Sequence, residues 1–136
     1  MYKDMIGRAK EIANVVVNDM NNRGGVGCVL ITSKGNIYEG RFLNAHCGLS
    51  FCAEVAAIAA MITKGETRID TLVAVAYDGT ILPPCGRCRE LIYQVNKENL
   101  ATKVVVSRTD YIFLSALLNR RWQEAWEQNE NCVHKS

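Results

Sequence analysis

Little in this chain marks a partner for nucleic acid or membrane. Sixteen Lys and Arg stand against fourteen Asp and Glu, a net charge of +2 over 136 residues, too small to draw it to a phosphate backbone or an anionic bilayer. Aromatics make up only 7%, which leaves few rings for a base-stacking groove. No apolar run approaches the ~18 residues of a membrane span. Met1-Tyr2-Lys3-Asp4 is not followed by the apolar block of a secretion signal. There is no repeat, low-complexity tract or linker, so the expectation is a single domain over residues 1–136.

What is present is ordinary globular composition, 49% hydrophobic and 22% charged. Six cysteines without a signal peptide point to a reducing compartment, where metal binding, catalysis or burial are their usual roles. That reading places the protein in the cytoplasm.

Apolar residues from Met5 to Met20 recur at helical spacing, with Lys10, Glu11, Asn14 and Asp19 between them, and Asn21-Asn22-Arg23-Gly24-Gly25 reads as the stop. Val26 to Thr32 is a buried β-branched strand, Ser33 to Asn36 a tight turn, and Ile37 to Phe42 the returning strand. Asn44 to Phe51 has no period and reads as a loop leading to Cys52. From Val55 to Ile62 the chain is almost wholly apolar, a buried helix that Lys64-Gly65 closes. Thr71 to Tyr77 is a further strand. Pro83-Pro84 cannot continue a strand but suits a helix opening, and Arg89 to Val95 supplies that helix. A short strand over Lys103 to Ser107, a turn over Tyr111 to Leu118 and a closing helix over Arg120 to Gln128 complete the reading. The order predicts an α/β layered fold, a central mixed sheet flanked by helices: an antiparallel hairpin first, then helical crossovers.

The chemistry concentrates in Cys52-Ala53-Glu54 and Pro84-Cys85-Gly86-Arg87-Cys88. Two cysteines three apart can clamp one ion from a single turn, and Cys52 supplies a third thiolate. Three protein ligands with one open position is the arrangement of a catalytic zinc. Glu54 is then a carboxylate placed to move protons beside the open position. If each cysteine segment opens a helix, two partial positive charges favour thiolate over thiol. Three thiolates around Zn²⁺ still leave an excess negative charge. Arg87 and Arg89 flank Cys88 as candidates to offset it, with Arg89 favoured as a donor to sulfur.

In these residues the chain resembles the small zinc-dependent cytidine deaminases and their blasticidin-S deaminase branch. Cys52-Ala53-Glu54, Ala57-Ile58 and Pro84-Cys85-Gly86-Arg87-Cys88-Arg89 match the family's metal motifs, and Val26-Gly27 its opening strand. The likeness runs from about Arg8 to Leu118. It implies the cytidine deaminase fold, a zinc ion, a homotetramer, and hydrolytic deamination of a cytosine-type nucleoside or related aminopyrimidine. Asn44, His46 and Ala53 become candidate substrate contacts. Trp122 and Trp126 become C-terminal aromatics that close the pocket, with Arg120-Arg121 beside them for an acidic substrate group. Departures concern the substrate. Counting back from Cys52, Arg41 and Leu43 stand where the family has a ribose-holding asparagine and glutamate. Gly24 replaces a phenylalanine near the base, and Val55 an arginine that supports the thiolates. These changes lean toward the blasticidin-S type. A different class of reading is a non-catalytic zinc-stabilised binding module, with Cys47 or Cys28 as a fourth ligand. Cys132 and His134 lie in a polar tail and carry no assigned role.

Overall fold

A computed structural model describes residues 2–16 and 25–124. Helix α1 (Lys3–Ala13) is followed by strands β1 (Val26–Thr32) and β2 (Ile37–Arg41), helix α2 (Ala53–Thr63), strands β3 (Ile69–Ala76) and β4 (Ile81–Leu82), and helix α3 (Gly86–Val95). A 3-10 turn (Lys97–Ala101), strands β5 (Lys103–Val105) and β6 (Tyr111–Phe113), and a short helix α4 (Leu114–Leu117) complete the described elements.

The strands form one mixed sheet in the order β2-β1-β3-β5-β6, with β4 also paired to β3. β1 is antiparallel to both neighbours. α2 is therefore a crossover between the parallel strands β2 and β3, and α3 leads to β5, parallel to β3. Period-two alternation splits the core. Cys28, Leu30 and Leu72 face α2 and α3, in a cluster with Ala53, Ile58 and Ile92, whereas Val29, Val73 and Val75 face α1 around Ala9. Gly27 is what lets α1 lie this close, since a Cβ there would strike the Ala9 carbonyl. On the opposite face Gly40 does the same for α2, where a Cβ would strike the Ala53 carbonyl and the Ala57 nitrogen.

Three expectations from the sequence change. α1 ends at Ala13, not Met20. Asn14 closes it, its side-chain amide donating to the carbonyls of Lys10 (2.9 Å) and Tyr77 (3.0 Å), and β-branched Val15 and Val16 follow with poor helix propensity. The expected stop at residues 21–24 lies outside the described residues. Tyr111 to Leu118 is not a turn but an edge strand and a helical turn, because β6 pairs with β5 across Lys103↔Phe113 and Val105↔Tyr111. α2 is not buried all round: Ala53, Glu54, Ala57, Ile58 and Met61 are buried, while Ala59 and Ile62 stay exposed. Of the closing helix, residues 122–124 are helical and the rest lies outside the described residues.

Candidate metal centre

Two helix starts meet at one end of the sheet. Cys52 is the N-cap of α2 (φ −69°, ψ 155°) and Cys85 the N-cap of α3 (φ −66°, ψ 168°); neither side chain makes a capping hydrogen bond. Both cap positions ordinarily favour Ser, Thr, Asp or Asn, whose oxygens accept from the first turn. Cysteine forgoes that bond and leaves its sulfur pointed elsewhere. Cys88 follows in the first turn of α3. The Cys52 and Cys85 sulfurs lie 3.6 Å apart, and all three sulfurs lie within 4.8 Å of one another. A tetrahedral zinc with Zn–S near 2.3 Å needs sulfurs about 3.8 Å apart. The donor set and spacing therefore fit the ion. Among the described residues no fourth Cys, His, Asp or Glu joins this group. Cys28 is buried in β1 and Cys47 exposed in a turn.

The electrostatics divide the thiols. Burial, then the Glu54 carboxyl, pushes the Cys88 thiol far above its ordinary range, and burial also raises Cys52. Burial opposes ionisation of Cys85 as well, but the Cys88 backbone N–H and the neighbouring thiols set it below its usual value. A buried sulfur this reluctant to ionise becomes a ligand only when a cation takes the place of its proton. Glu54, the second residue of α2, is 5% exposed. Its carboxyl is raised by burial, against which its own backbone N–H and the Cys88 thiol act.

A cavity of about 220 Å³ opens on this group, with Cys52, Glu54 and Cys85 in its wall beside buried Ala53. Val26, Phe42, Ala74, Leu82 and Pro83 form the apolar remainder. Sequence reasoning did not assign these five to a site. They come from β1, β3 and β4 and from the residues just after β2 and β4, and no local motif joins them. Phe42, ending a hairpin just before the cysteine loop, is the one whose position hinted at it.

The other candidates scatter. Asn44 and His46 lie exposed in the loop before Cys52, which a Leu43↔Phe51 bridge closes and Cys47 turns with φ 60°; neither lines the cavity. Arg87 is exposed. Arg89 gives Nε to the Pro84 carbonyl (2.7 Å) and Nη1 to the Leu117 carbonyl (3.2 Å). Trp122, 62% exposed, sits over a separate depression with Tyr93, Gln94 and Lys97, near the other end of α3. Trp126 lies outside the described residues. Arg121 stacks on the Tyr93 ring at 4.7 Å and pairs with Glu124.

Comparison with known proteins agrees with this geometry. Residues 2–106 match the family described as "Cytidine and deoxycytidylate deaminase zinc-binding region". A cytidine deaminase of Mycobacterium tuberculosis (strain CDC 1551 / Oshkosh) is 34% identical over 74 residues, 54% of this chain and 56% of that protein. A blasticidin-S deaminase of Bacillus cereus is 33% identical over 81 residues, 53% of this chain and 58% of that one. The chain thus spans little more than half the length of these relatives. The crystal structure of cytidine deaminase from Mycobacterium tuberculosis superposes with a TM-score of 0.76 at 25% identity, covering 89% of this chain and 96% of that one. That of Mycobacterium leprae gives 0.75 at 25% identity, covering 88% and 98%.

Proposed function

This chain belongs to the cytidine and deoxycytidylate deaminase zinc-binding family, and from that membership we propose that it is a hydrolase converting a cytosine-type nucleoside or related aminopyrimidine to the uracil-type product and ammonia. The observation that carries the reading is the Glu54 carboxyl, buried in the wall of the same cavity as the Cys52 and Cys85 sulfurs. Cys52, Cys85 and Cys88 would hold a zinc ion, which when bound would supply Lewis-acid activation of a water.

Glu54 does the proton work. Its carboxylate oxygen takes a proton from the water whose oxygen bonds to the amine-bearing carbon and gives it to the ring nitrogen. It then takes the second proton from the new hydroxyl on that carbon and passes it to the amine, which leaves as ammonia when the carbon–nitrogen bond breaks. Burial favours the neutral carboxyl, so holding that proton between steps costs it less than it would an exposed acid. Phe42 and Val26 offer an apolar wall for the ring, and buried Ala53 lies beside it. Asn44 and His46, in the loop just before Cys52, reach the substrate only from its outer end. We read residues 1–136 as one domain acting on a small molecule, not on nucleic acid, in the cytoplasm, as in pyrimidine salvage. The family's homotetramer is supported here by large apolar side chains left at the surface, Ile62 (46% exposed), Phe113 (44%) and Trp122 (62%). In such an assembly Trp122 and Trp126 would serve a neighbouring copy's pocket.

Deamination of a blasticidin-S-type antibiotic is the second reading, favoured by Leu43 at the place of a ribose-holding glutamate and by the Bacillus cereus relative. Ammonia release from cytidine, deoxycytidine, cytosine and blasticidin S by the zinc protein decides between them. Turnover of cytidine or deoxycytidine is expected. Ammonia from blasticidin S alone selects the second reading, and none from any of the four sinks both.

A further inference from the structure

Arg89 stands one residue beyond a metal ligand, yet its recorded partners are two backbone carbonyls. Nε donates to Pro84 at 2.7 Å and Nη1 to Leu117 at 3.2 Å. Both acceptors are orphans of helical structure. The Pro84 carbonyl lies just ahead of the α3 N-cap, where no helix bond reaches it, and the Leu117 carbonyl ends α4. The Pro84 carbonyl belongs to the peptide that carries the Cys85 nitrogen, so its orientation sets the direction from which Cys85 enters the cluster. Pro84 itself is buried while Cys85 is exposed, and Cys85 lacks a capping bond of its own. The remaining contacts of that sulfur are within the cluster itself, to the Cys88 backbone N–H and to the Cys52 and Cys88 thiols. Beyond Leu117 the chain runs back along α3: Gln123 donates to Glu90 at 2.5 Å, and Arg121 stacks on Tyr93 at 4.7 Å. The Arg89 contact lies at the metal end of this series.

We propose that Arg89 is a positioning residue, whose planar fork holds the Pro84 and Leu117 carbonyls together and so aims Cys85 at the metal while fastening the C-terminal segment to the same site. The inference rests on the zinc reading above. It differs from charge compensation of the thiolates, because a fork to two neutral carbonyls depends on guanidinium shape and not on charge alone. Coupling of this kind is reciprocal: whatever steadies Cys85 steadies the segment after Leu117.

The test measures metal affinity without reference to turnover. Zinc affinity of the full chain is read by competition with a chromophoric chelator, and the cobalt(II) form is read by its visible absorption. R89Q and R89K are both expected to bind zinc about 10- to 100-fold more weakly, the usual cost of losing an outer partner of a metal site, with a changed cobalt spectrum. R89K within about twofold of the wild type while R89Q weakens would overturn the inference in favour of charge, and both within twofold would overturn it outright. A second measurement needs no variant and covers the case in which these chains do not fold. Removing zinc from the wild type should speed amide exchange at residues 118–124 together with residues 85–89; acceleration confined to 85–89 overturns the coupling. A wild type that binds no zinc through its three cysteines defeats the zinc reading itself, an outcome distinct from all of these.

Discussion

Glu54 shows how much one side chain can carry when its surroundings are settled by others. The residue is 5% exposed in the cavity wall it shares with Cys52 and Cys85, and burial raises its pKa. If Glu54 carries protons as proposed, glutamine at this position would keep the shape and lose the proton traffic. Glu54→Gln is therefore expected to retain one zinc per chain and to melt no earlier than the wild type, because it removes a buried ionisable group without opening a cavity. Turnover should fall by at least about 10²- to 10⁴-fold, the range supplied by a positioned acid–base group. Metal analysis and ammonia release, measured on one preparation, check this. A variant that loses zinc along with activity would make Glu54 a ligand and not a proton carrier. Residue by residue, the metal centre was legible because its parts are local: Cys85 and Cys88 declare themselves by a spacing of three, and Glu54 by its place two after Cys52. The apolar wall was not. Val26, Phe42, Ala74 and Leu82 are far apart in sequence, and only strand register brings them together.

The elements meet at the centre through one close approach. Gly40 of β2 faces α2 where a side chain would strike the Ala53 carbonyl, the Ala57 nitrogen and the Ala56 methyl at once. Two of those atoms are backbone and cannot swing aside. The first turn of α2, with Cys52 as its cap, must then lift from the sheet. Gly40→Ala is expected to cost about 1–3 kcal/mol as overpacking and to weaken zinc binding as well, because the displaced turn carries a ligand. Thermal melting of the metal-free and zinc-loaded forms separates the two effects. Equal loss in both would confine the damage to packing and leave Cys52 in place. At this scale the long amphipathic and β-branched runs read correctly as α1, β1, α2, β3 and α3. Short β5 reads as a strand as well, within Lys103 to Ser107, but β4 and β6 do not. β4 has two residues, too few for any period, and in β6 all three residues are exposed, so no alternation announces a strand. The end of α1 was hidden for another reason. Val16, Val17 and Met20 continue the helical spacing, but Asn14 ties its amide to Lys10 and Tyr77 and closes the helix first.

Over the whole molecule the three cysteines join the starts of two helices that pack on one face of the sheet. α2 and α3 share one buried cluster, with Ile58 and Met61 of α2 and Ile92 of α3 in it, and at their starts the Cys52 and Cys85 sulfurs stand 3.6 Å apart. Metal-free, that junction contains a buried thiol in Cys88, a half-buried one in Cys52 and a buried carboxyl in Glu54, whose desolvation is offset only by contacts among themselves and to the Glu54 backbone N–H. Zinc binding replaces thiol protons by one divalent charge and links residues 33 and 36 positions apart in the chain. Because the folded protein presents the three sulfurs together and the unfolded chain does not, the ion stabilises the native state by mass action. At a free concentration 1,000 times Kd the gain is about 4 kcal/mol, equivalent to a rise in Tm on the order of 10–20 °C for a chain of this size. Melting curves recorded in zinc buffers of increasing free concentration should therefore climb steadily from the chelated protein, with Cys85→Ala flattening the climb. A Tm that ignores zinc would mean that the sulfurs converge without binding the ion. Deamination would then have to be sought without it.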